Sequence, residues 1–315
     1  MKLKTGVLLI NLGTPNSPKV KDVYRYLTEF LTDPRVIDEP WLKRQFLVRG
    51  VIIPARVLQS ARSYKKIWTA EGSPLMVYGN RVKEKLQHAL GETHQVELAM
   101  RYQEPSIKQA ISHLMTNQIH RLIILPLFPQ YASATTGSVH QRVMEEVAPY
   151  PILPHLTFVN EFASHPAFIK AFSASDFTLS EYDHLLFSFH GLPARPLNAG
   201  YSDQCYETAY SIAKELKIPQ DKFSITFQSR LGKEPWLQPY TNETITTLAK
   251  EGKKKVLVFC PSFVCDCLET IYEIGMEYQQ EFKHLGGERL DLVPGLNDHP
   301  LWIDALKQLV MDNMD

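Results

Sequence analysis

Cysteine is scarce, long apolar runs are missing and net charge is nil. Four cysteines in 315 residues cannot form a disulfide scaffold, which points to a reducing, cytoplasmic setting. No apolar stretch reaches the roughly 18 residues of a membrane-spanning helix. The 34 Lys+Arg balance 34 Asp+Glu, so no basic excess argues for nucleic acid and no acidic tail for a solvating segment. Neither a Gly-x4-Gly-Lys-Ser/Thr loop nor a Gly-x-Gly-x2-Gly turn occurs, which disfavours a nucleotide enzyme. A Gly-x-Ser-x-Gly elbow is lacking too. The N-terminal Met1–Gly6 runs into a short apolar run, Val7–Leu12, too brief for a signal peptide core and better read as a first strand.

What is present looks globular: 44% apolar, 22% charged and 10% aromatic residues, in a length that suits about two domains. Nearly continuous apolar runs recur at Val7–Leu12, Val96–Met100, Leu122–Phe128, Leu185–Phe189, Ser224–Phe227 and Val256–Cys260. That is the pattern of strands buried on both faces. Amphipathic stretches lie between them, including those around Val82–Leu90, Ile107–Met115, Thr208–Leu216 and Glu269–Phe282. The alternation predicts an α/β protein with parallel sheets. The strand ends repeat in order. Asn11-Leu12-Gly13-Thr14-Pro15 matches Phe189-His190-Gly191-Leu192-Pro193. Glu104-Pro105 matches Glu234-Pro235. Leu125-Pro126-Leu127-Phe128 matches Cys260-Pro261-Ser262-Phe263. Three matches in register predict a duplicated fold with a boundary near residue 160. Leu12 and His190 then hold equivalent places at strand carboxyl ends, where open parallel sheets bind ligands.

His190 sits at such an end. It reads either as a histidine satisfied by backbone or as a base or ligand for a borderline metal. Further on, Asp266, Glu269, Glu273 and Glu277 recur at spacings of 3, 4 and 4, which places them on one helical face. No lysine or arginine lies between 256 and 282. The stripe is a solvated acidic face or a path that passes a cation in and protons out. Cys260, Cys265 and Cys267, with Cys205, invite a metal reading, but they lack Cys-x2-Cys knuckles and also suit small buried hydrophobes. Arg101-Tyr102, Gln228-Ser229-Arg230 and Gln130–Gly137 are further candidate segments. Residues 40–60 mix apolar side chains with arginines. They read as a buried helix hairpin or as a lip over an apolar ligand that touches a membrane surface, with Leu47, Val48 and Ile52 as contacts to test.

These same residues carry a family resemblance over essentially the whole chain. Asn11–Pro15, Gly72-Ser73-Pro74-Leu75, Leu125–Tyr131 with Thr135-Thr136-Gly137, Ser188–Pro193, Phe227–Arg230 with Glu234-Pro235-Trp236, and Cys260–Thr270 resemble the ferrochelatases, in detail the Gram-negative bacterial branch. The resemblance implies two similar Rossmann-like, chelatase-type domains with four-stranded parallel sheets facing a central cleft. The first domain spans 1–160 plus a C-terminal helix at 301–315, and the second, with the metal site, spans 161–300. It implies insertion of ferrous iron into protoporphyrin IX to give protohaem, the last step of haem synthesis. His190 and Glu269 become the iron-site and catalytic pair, with Asp266, Glu273 and Glu277 as the acidic relay. Leu12, Arg56, Tyr102, Tyr131, Trp236 and Phe263 match porphyrin-contacting positions, with Arg101 beside them.

The chemistry fits the residue types. A flat apolar ring needs aromatic and aliphatic walls, its two pyrrole protons need an acceptor and a relay, and Fe(II), a substrate, needs a site that does not keep it. No tightly bound cofactor is expected. Relatives with a 2Fe–2S cluster carry a cysteine in the segment matching Gln130–Gly137 and others near the C-terminus. Here Ser133 and Ala134 stand there and the sequence ends at Asp315 without one, so no cluster is expected. Relatives that use coproporphyrin tend to have tyrosine where Leu12 stands. The alternatives are a chelatase for coproporphyrin or another tetrapyrrole, and a non-catalytic haem or metal carrier. The expected location is cytoplasmic, peripheral at the inner membrane through 40–60.

Overall fold

The computed structural model describes residues 4–174, 176–195, 198–232 and 234–314. The backbone divides into two compact units, Met1–Glu161 with Asp298–Asp315, and Phe162–Asn297.

In the first unit, four strands form a fully parallel sheet in the order β2-β1-β3-β4. They are β1 (Thr5–Gly13), β2 (His94–Tyr102), β3 (Arg121–Pro126) and β4 (His155–Phe158). Central β1 is buried almost end to end, as its unbroken Val-Leu-Leu-Ile run requires. Its helices are α1 (Val20–Leu31), α2 (Trp41–Phe46), α3 (Ile53–Ile67), α4 (Pro74–Leu90), α5 (Ile107–Thr116) and α6 (Ser138–Val147). The second unit repeats the plan, β6-β5-β7-β8 and again all parallel. Its strands are β5 (His184–His190), β6 (Phe223–Gln228), β7 (Lys255–Phe259) and β8 (Arg289–Leu292). Its helices are α7 (Pro166–Ser173), α8 (Ala199–Glu215), α9 (Thr241–Lys250) and α10 (Gln279–His284). The C-terminal α11 (Pro300–Asp312) packs on α4 in the first unit, with Trp302 fully buried.

The duplication is visible in the backbone. Gly13 pairs with Tyr102, and the Gly191 amide donates to the Gln228 carbonyl at 2.8 Å. In both places the backbone leaves no room for a side chain. A Cβ on Gly191 would lie 2.7 Å from the Gln228 carbonyl oxygen, and one on Gly13 would collide with the Tyr102 carbonyl. The next residues, Gln103 and Ser229, both take positive φ, 71° and 65°. One correction follows for the repeat. Pro105 corresponds to Pro239, not Pro235. The Met100 amide donates to the Pro105 carbonyl and the Phe227 amide to the Pro239 carbonyl, and both X-Pro bonds are cis. The second loop is longer, so the Glu-Pro dipeptides do not align.

Among the described residues, Leu47–Ile52, Ser133–Gly137 and Leu268–Tyr278 are π-helical rather than α. In such turns the hydrogen bonds run from i to i+5, and they recur at functional sites.

Candidate active site

His190 is the last residue of β5, at the carboxyl edge of its sheet. Its backbone amide donates to Ser262 Oγ at 3.0 Å, and its carbonyl accepts from the Tyr201 hydroxyl at 2.8 Å. The ring Nδ1 lies 2.6 Å from the Gly191 carbonyl oxygen. A carbonyl only accepts, so Nδ1 carries the proton in this contact, and whenever the ring is neutral its lone pair lies on Nε2. Half-buried Phe263 stands beside it, ring centroids 6.2 Å apart at 61°. Trp236 reaches the same loop, because Pro193 and Trp236 form an antiparallel bridge. Its ring lies against Gly191, and its buried indole N–H has no hydrogen-bond partner among the described residues.

The acidic segment departs from the sequence expectation. Asp266 precedes the helix rather than sharing its face. Its Oδ2 accepts from Asn297 Nδ2 at 2.7 Å, and its Oδ1 from Thr270 Oγ1 and the Gly295 amide at 3.0 and 3.1 Å. A Cβ on Gly295 would sit 2.9 Å from the Asp266 amide, so the turn closes tightly on this carboxylate. Cys267 then caps the π-helix reciprocally with Thr270. Glu269 and Glu273 are half-buried along that helix and Glu277 is exposed, so the three lead outward.

Glu273 is held from two directions. It accepts from the Ser229 amide (2.9 Å), the Ser229 hydroxyl (2.5 Å), the Gln228 side-chain amide (3.2 Å) and the Tyr278 hydroxyl (3.1 Å). Burial pushes its carboxyl above the ordinary glutamate value, Ser229, His190 and Tyr278 pull it back, and the charge of Glu269 adds to the rise. Gln228 ties the site together. Its Nε2 also donates to the Glu269 carbonyl at 2.9 Å, and its Oε1 accepts from Ser188 at 2.7 Å. The sequence marked Gln228-Ser229 without a role and missed Tyr278. Tyr278 lies five residues after Glu273, a spacing that faces one side only in a π-helix.

The first unit carries the other predicted residues. Leu12 is half-buried, and Arg56 and Tyr131 are exposed. Tyr102, expected at the ring, is 1% exposed. Its hydroxyl donates to Asp33 at 2.8 Å, and Phe30 and the Arg101 guanidinium lie over its ring at 5.2 and 4.6 Å. Arg101 spends its guanidinium on Asp33 at 2.6 Å and Ser138 Oγ at 2.7 Å. Burial raises the Asp33 carboxyl, but hydrogen bonds from Ser138 and the Arg35 amide and the charge of Arg101 outweigh it and hold the group below its ordinary value. Asp33 and Ser138 were not singled out from sequence. An aspartate before a proline at a helix end reads as a turn residue.

All four cysteines are free and buried, and burial pushes the thiols of Cys205, Cys260 and Cys267 up. Among the described residues no group of three or more His, Cys, Asp and Glu is arranged to hold a metal ion. Their burial suits cysteine packing as a small hydrophobe.

In residues 40–60 the exposed apolar side chains are Trp41 (63%), Leu42 (75%), Phe46 (74%), Val51 and Leu58. Val48 is not among them: it faces the core, fully buried. The segment is thus neither a buried hairpin nor exposed at all of its expected contacts. Among the described residues no helix is long and apolar enough to cross a membrane.

Comparisons with known proteins place the fold and the family. The SirB protein of Bacillus subtilis, solved with Fe3+, superposes with a TM-score of 0.58 over 99% of this chain and 96% of its own, at 13% identity. CbiX, described as the terminal enzyme for biosynthesis of sirohaem in denitrifying bacteria, gives 0.53 over 98% and 100% at 12% identity. At such identities the likeness concerns the fold, which is that of the chelatases. Sequence relatives are much nearer. The ferrochelatase of Legionella pneumophila (Philadelphia 1) is 42% identical over 98% of this chain and 99% of its own. That of Coxiella burnetii (Dugway 5J108-111) is 42% identical over 99% and 94%. The family model described as Ferrochelatase matches residues 4–314, and the chain belongs to the ferrochelatase family.

Proposed function

We propose that this protein inserts Fe(II) into protoporphyrin IX, with His190 and Glu269 at the point of metal transfer. The observation that carries the reading is how the His190 ring is held. Its Nδ1–H is committed to the Gly191 carbonyl at 2.6 Å, which leaves the Nε2 lone pair to take a pyrrole proton or to bind incoming iron. Glu269, Glu273 and Glu277 then form the relay. The raised proton affinity of Glu273 lets it hold a proton nearer neutrality than an ordinary glutamate, and exposed Glu277 delivers it to water. Asp266, expected in this relay, instead shapes the turn that starts the helix. The ring contacts proposed are Leu12, Arg56, Tyr131, Trp236 and Phe263. Fe(II) is a substrate in transit, so a loose His/carboxylate pair suits it better than a closed cage. No resident cofactor is proposed, and neither is a 2Fe–2S cluster.

We also propose a cytoplasmic protein that touches a membrane surface through Trp41, Leu42 and Phe46. Lys43, Arg49 and Arg56 are exposed in the same segment, a mixture suited to an anionic headgroup layer.

The reading is tested by anaerobic turnover of purified protein with Fe(II) and either protoporphyrin IX or coproporphyrin III, followed by absorbance. Preferential metalation of protoporphyrin supports it. Preference for coproporphyrin overturns the substrate inferred from Leu12. Tight haem binding without metalation of either ring makes the protein a carrier.

A further inference from the structure

We infer that Tyr201 and Ser262 are positioning residues that hold His190 in its working geometry. The inference rests on the reading of His190 given above. It starts from the sheet register. On one side, β5 stays paired with β6 to its end, His190 opposite Gln228. On the other side, its pairing with β7 stops at Phe187–Phe259, after which that chain turns away through Cys260 to Phe263.

His190 therefore projects beyond its β7 neighbour, and its backbone amide and carbonyl lack the strand that would normally meet them. Buried backbone groups need partners. Here two hydroxyls stand in for the missing strand. Ser262 Oγ accepts from the His190 amide at 3.0 Å, and Tyr201 Oη donates to the His190 carbonyl at 2.8 Å. Ser262 comes from the turn after β7 and Tyr201 from α8, so the two grips are independent in sequence. Tyr201 is 7% exposed, and its ring is fixed by packing.

The consequence reaches the imidazole through the next peptide. The carbonyl that Tyr201 holds belongs to the same peptide plane as the Gly191 amide, which donates to Gln228. With both ends of that plane fixed, the Gly191 Cα is held beside the ring, and its carbonyl oxygen lies 2.6 Å from Nδ1 of His190. That contact selects the tautomer with Nε2 unprotonated. Such an outer hydrogen bond commonly sets ring orientation and basicity at His sites. Tyr201 and Ser262 act only through His190, so deleting either hydroxyl lets the ring and its tautomer wander while the rest of the pocket stays built.

The test uses the full chain with Tyr201→Phe, Ser262→Ala and Ser262→Thr. Each variant is followed by nitrogen-15 NMR of the His190 ring, by kcat and KM for Fe(II) and protoporphyrin, and by thermal unfolding. The expected result is that Tyr201→Phe and Ser262→Ala replace the single Nδ1–H tautomer by a mixture. Their kcat drops about tenfold or more, because small misplacements of a reacting group are costly, while porphyrin KM stays within about twofold. Ser262→Thr, which keeps a hydroxyl, restores both. If the single tautomer and the parental kcat persist in Tyr201→Phe and Ser262→Ala, or if only the melting temperature falls, the hydroxyls merely close a strand end and the inference is wrong. Should Tyr201→Phe not fold, Ser262→Ala against Ser262→Thr decides alone. His190→Ala run alongside separates the two levels. Full turnover in that variant removes the role of His190 itself, whereas lost turnover beside intact Tyr201→Phe and Ser262→Ala enzymes removes only the positioning role.

Discussion

Ser229 gives Glu273 two hydrogen bonds, from its amide at 2.9 Å and from its hydroxyl at 2.5 Å. Ser229 is the first residue beyond β6 and takes a φ of 65°, so the strained turn aims both donors at one carboxylate. These bonds favour the ionised form, burial opposes it, and burial wins. A glutamate whose folded pKa is raised destabilises the fold as pH climbs from its unfolded value, about 4.3, through the folded one. Glu273→Gln removes that titration. The stability of the variant relative to the parent should therefore improve across this window and level off above it, as read by denaturant titration at a series of pH values. Turnover should fall, since glutamine cannot pass a proton. A stability difference independent of pH would show that Glu273 keeps an ordinary pKa.

The Tyr102 hydroxyl donates to Asp33 at 2.8 Å. Tyr102→Phe should cost about 1–3 kcal/mol, the range for leaving a buried hydrogen-bonding group short of a partner, while porphyrin KM stays within twofold. A tenfold rise in KM with unchanged stability would put Tyr102 back in the binding wall.

Asp33 carries a pH signature of the opposite sign to Glu273. Its folded pKa is lowered, so its stabilisation is complete above the unfolded value near 3.9 and is lost as pH falls through the folded one. Asp33→Asn should flatten the acid limb of the stability profile. An acid limb identical to the parent would contradict the Asp33–Arg101–Ser138 arrangement.

Gly191 has no room for a side chain. Gly191→Ala puts a methyl 2.7 Å from the Gln228 carbonyl oxygen, and backbone there must move. The expected result is a loss of about 1–3 kcal/mol and of most turnover, because His190 moves with it. Crystallography of the variant would show whether the His190 ring shifts.

At the membrane patch, Trp41, Leu42 and Phe46 are each worth about 1.5–3 kcal/mol on full burial, roughly tenfold or more in affinity. Replacing all three by serine should abolish sedimentation with anionic vesicles and leave turnover of soluble porphyrin intact. Failure of the parent to bind such vesicles would end the proposal.

The core strands were legible in the sequence because a strand buried on both faces must be continuously apolar. The short strands β4 and β8 at one edge of each sheet were not. His155-Leu156-Thr157-Phe158 and Arg289-Leu290-Asp291-Leu292 are short, partly exposed and mixed in polarity, so no run announces them. The equivalence of Leu12 and His190 could be read because the Gly that follows each is forced by backbone contact. The acidic stripe was read on α-helical spacing. The π-helix keeps Glu269, Glu273 and Glu277 together, but it begins after Asp266 and brings in Tyr278, which i+3 and i+4 rules cannot find. Arg101-Tyr102 was marked at its strand end, but that its hydroxyl donates to Asp33 could not be read from the sequence.

The central claim concerns His190, and the most direct measurement is anaerobic single-turnover metalation of protoporphyrin IX by the parent and by His190→Ala, with circular dichroism to verify folding. The account predicts a folded variant that still binds the ring but forms no haem. A folded His190→Ala protein that makes haem at close to the parental rate would contradict it.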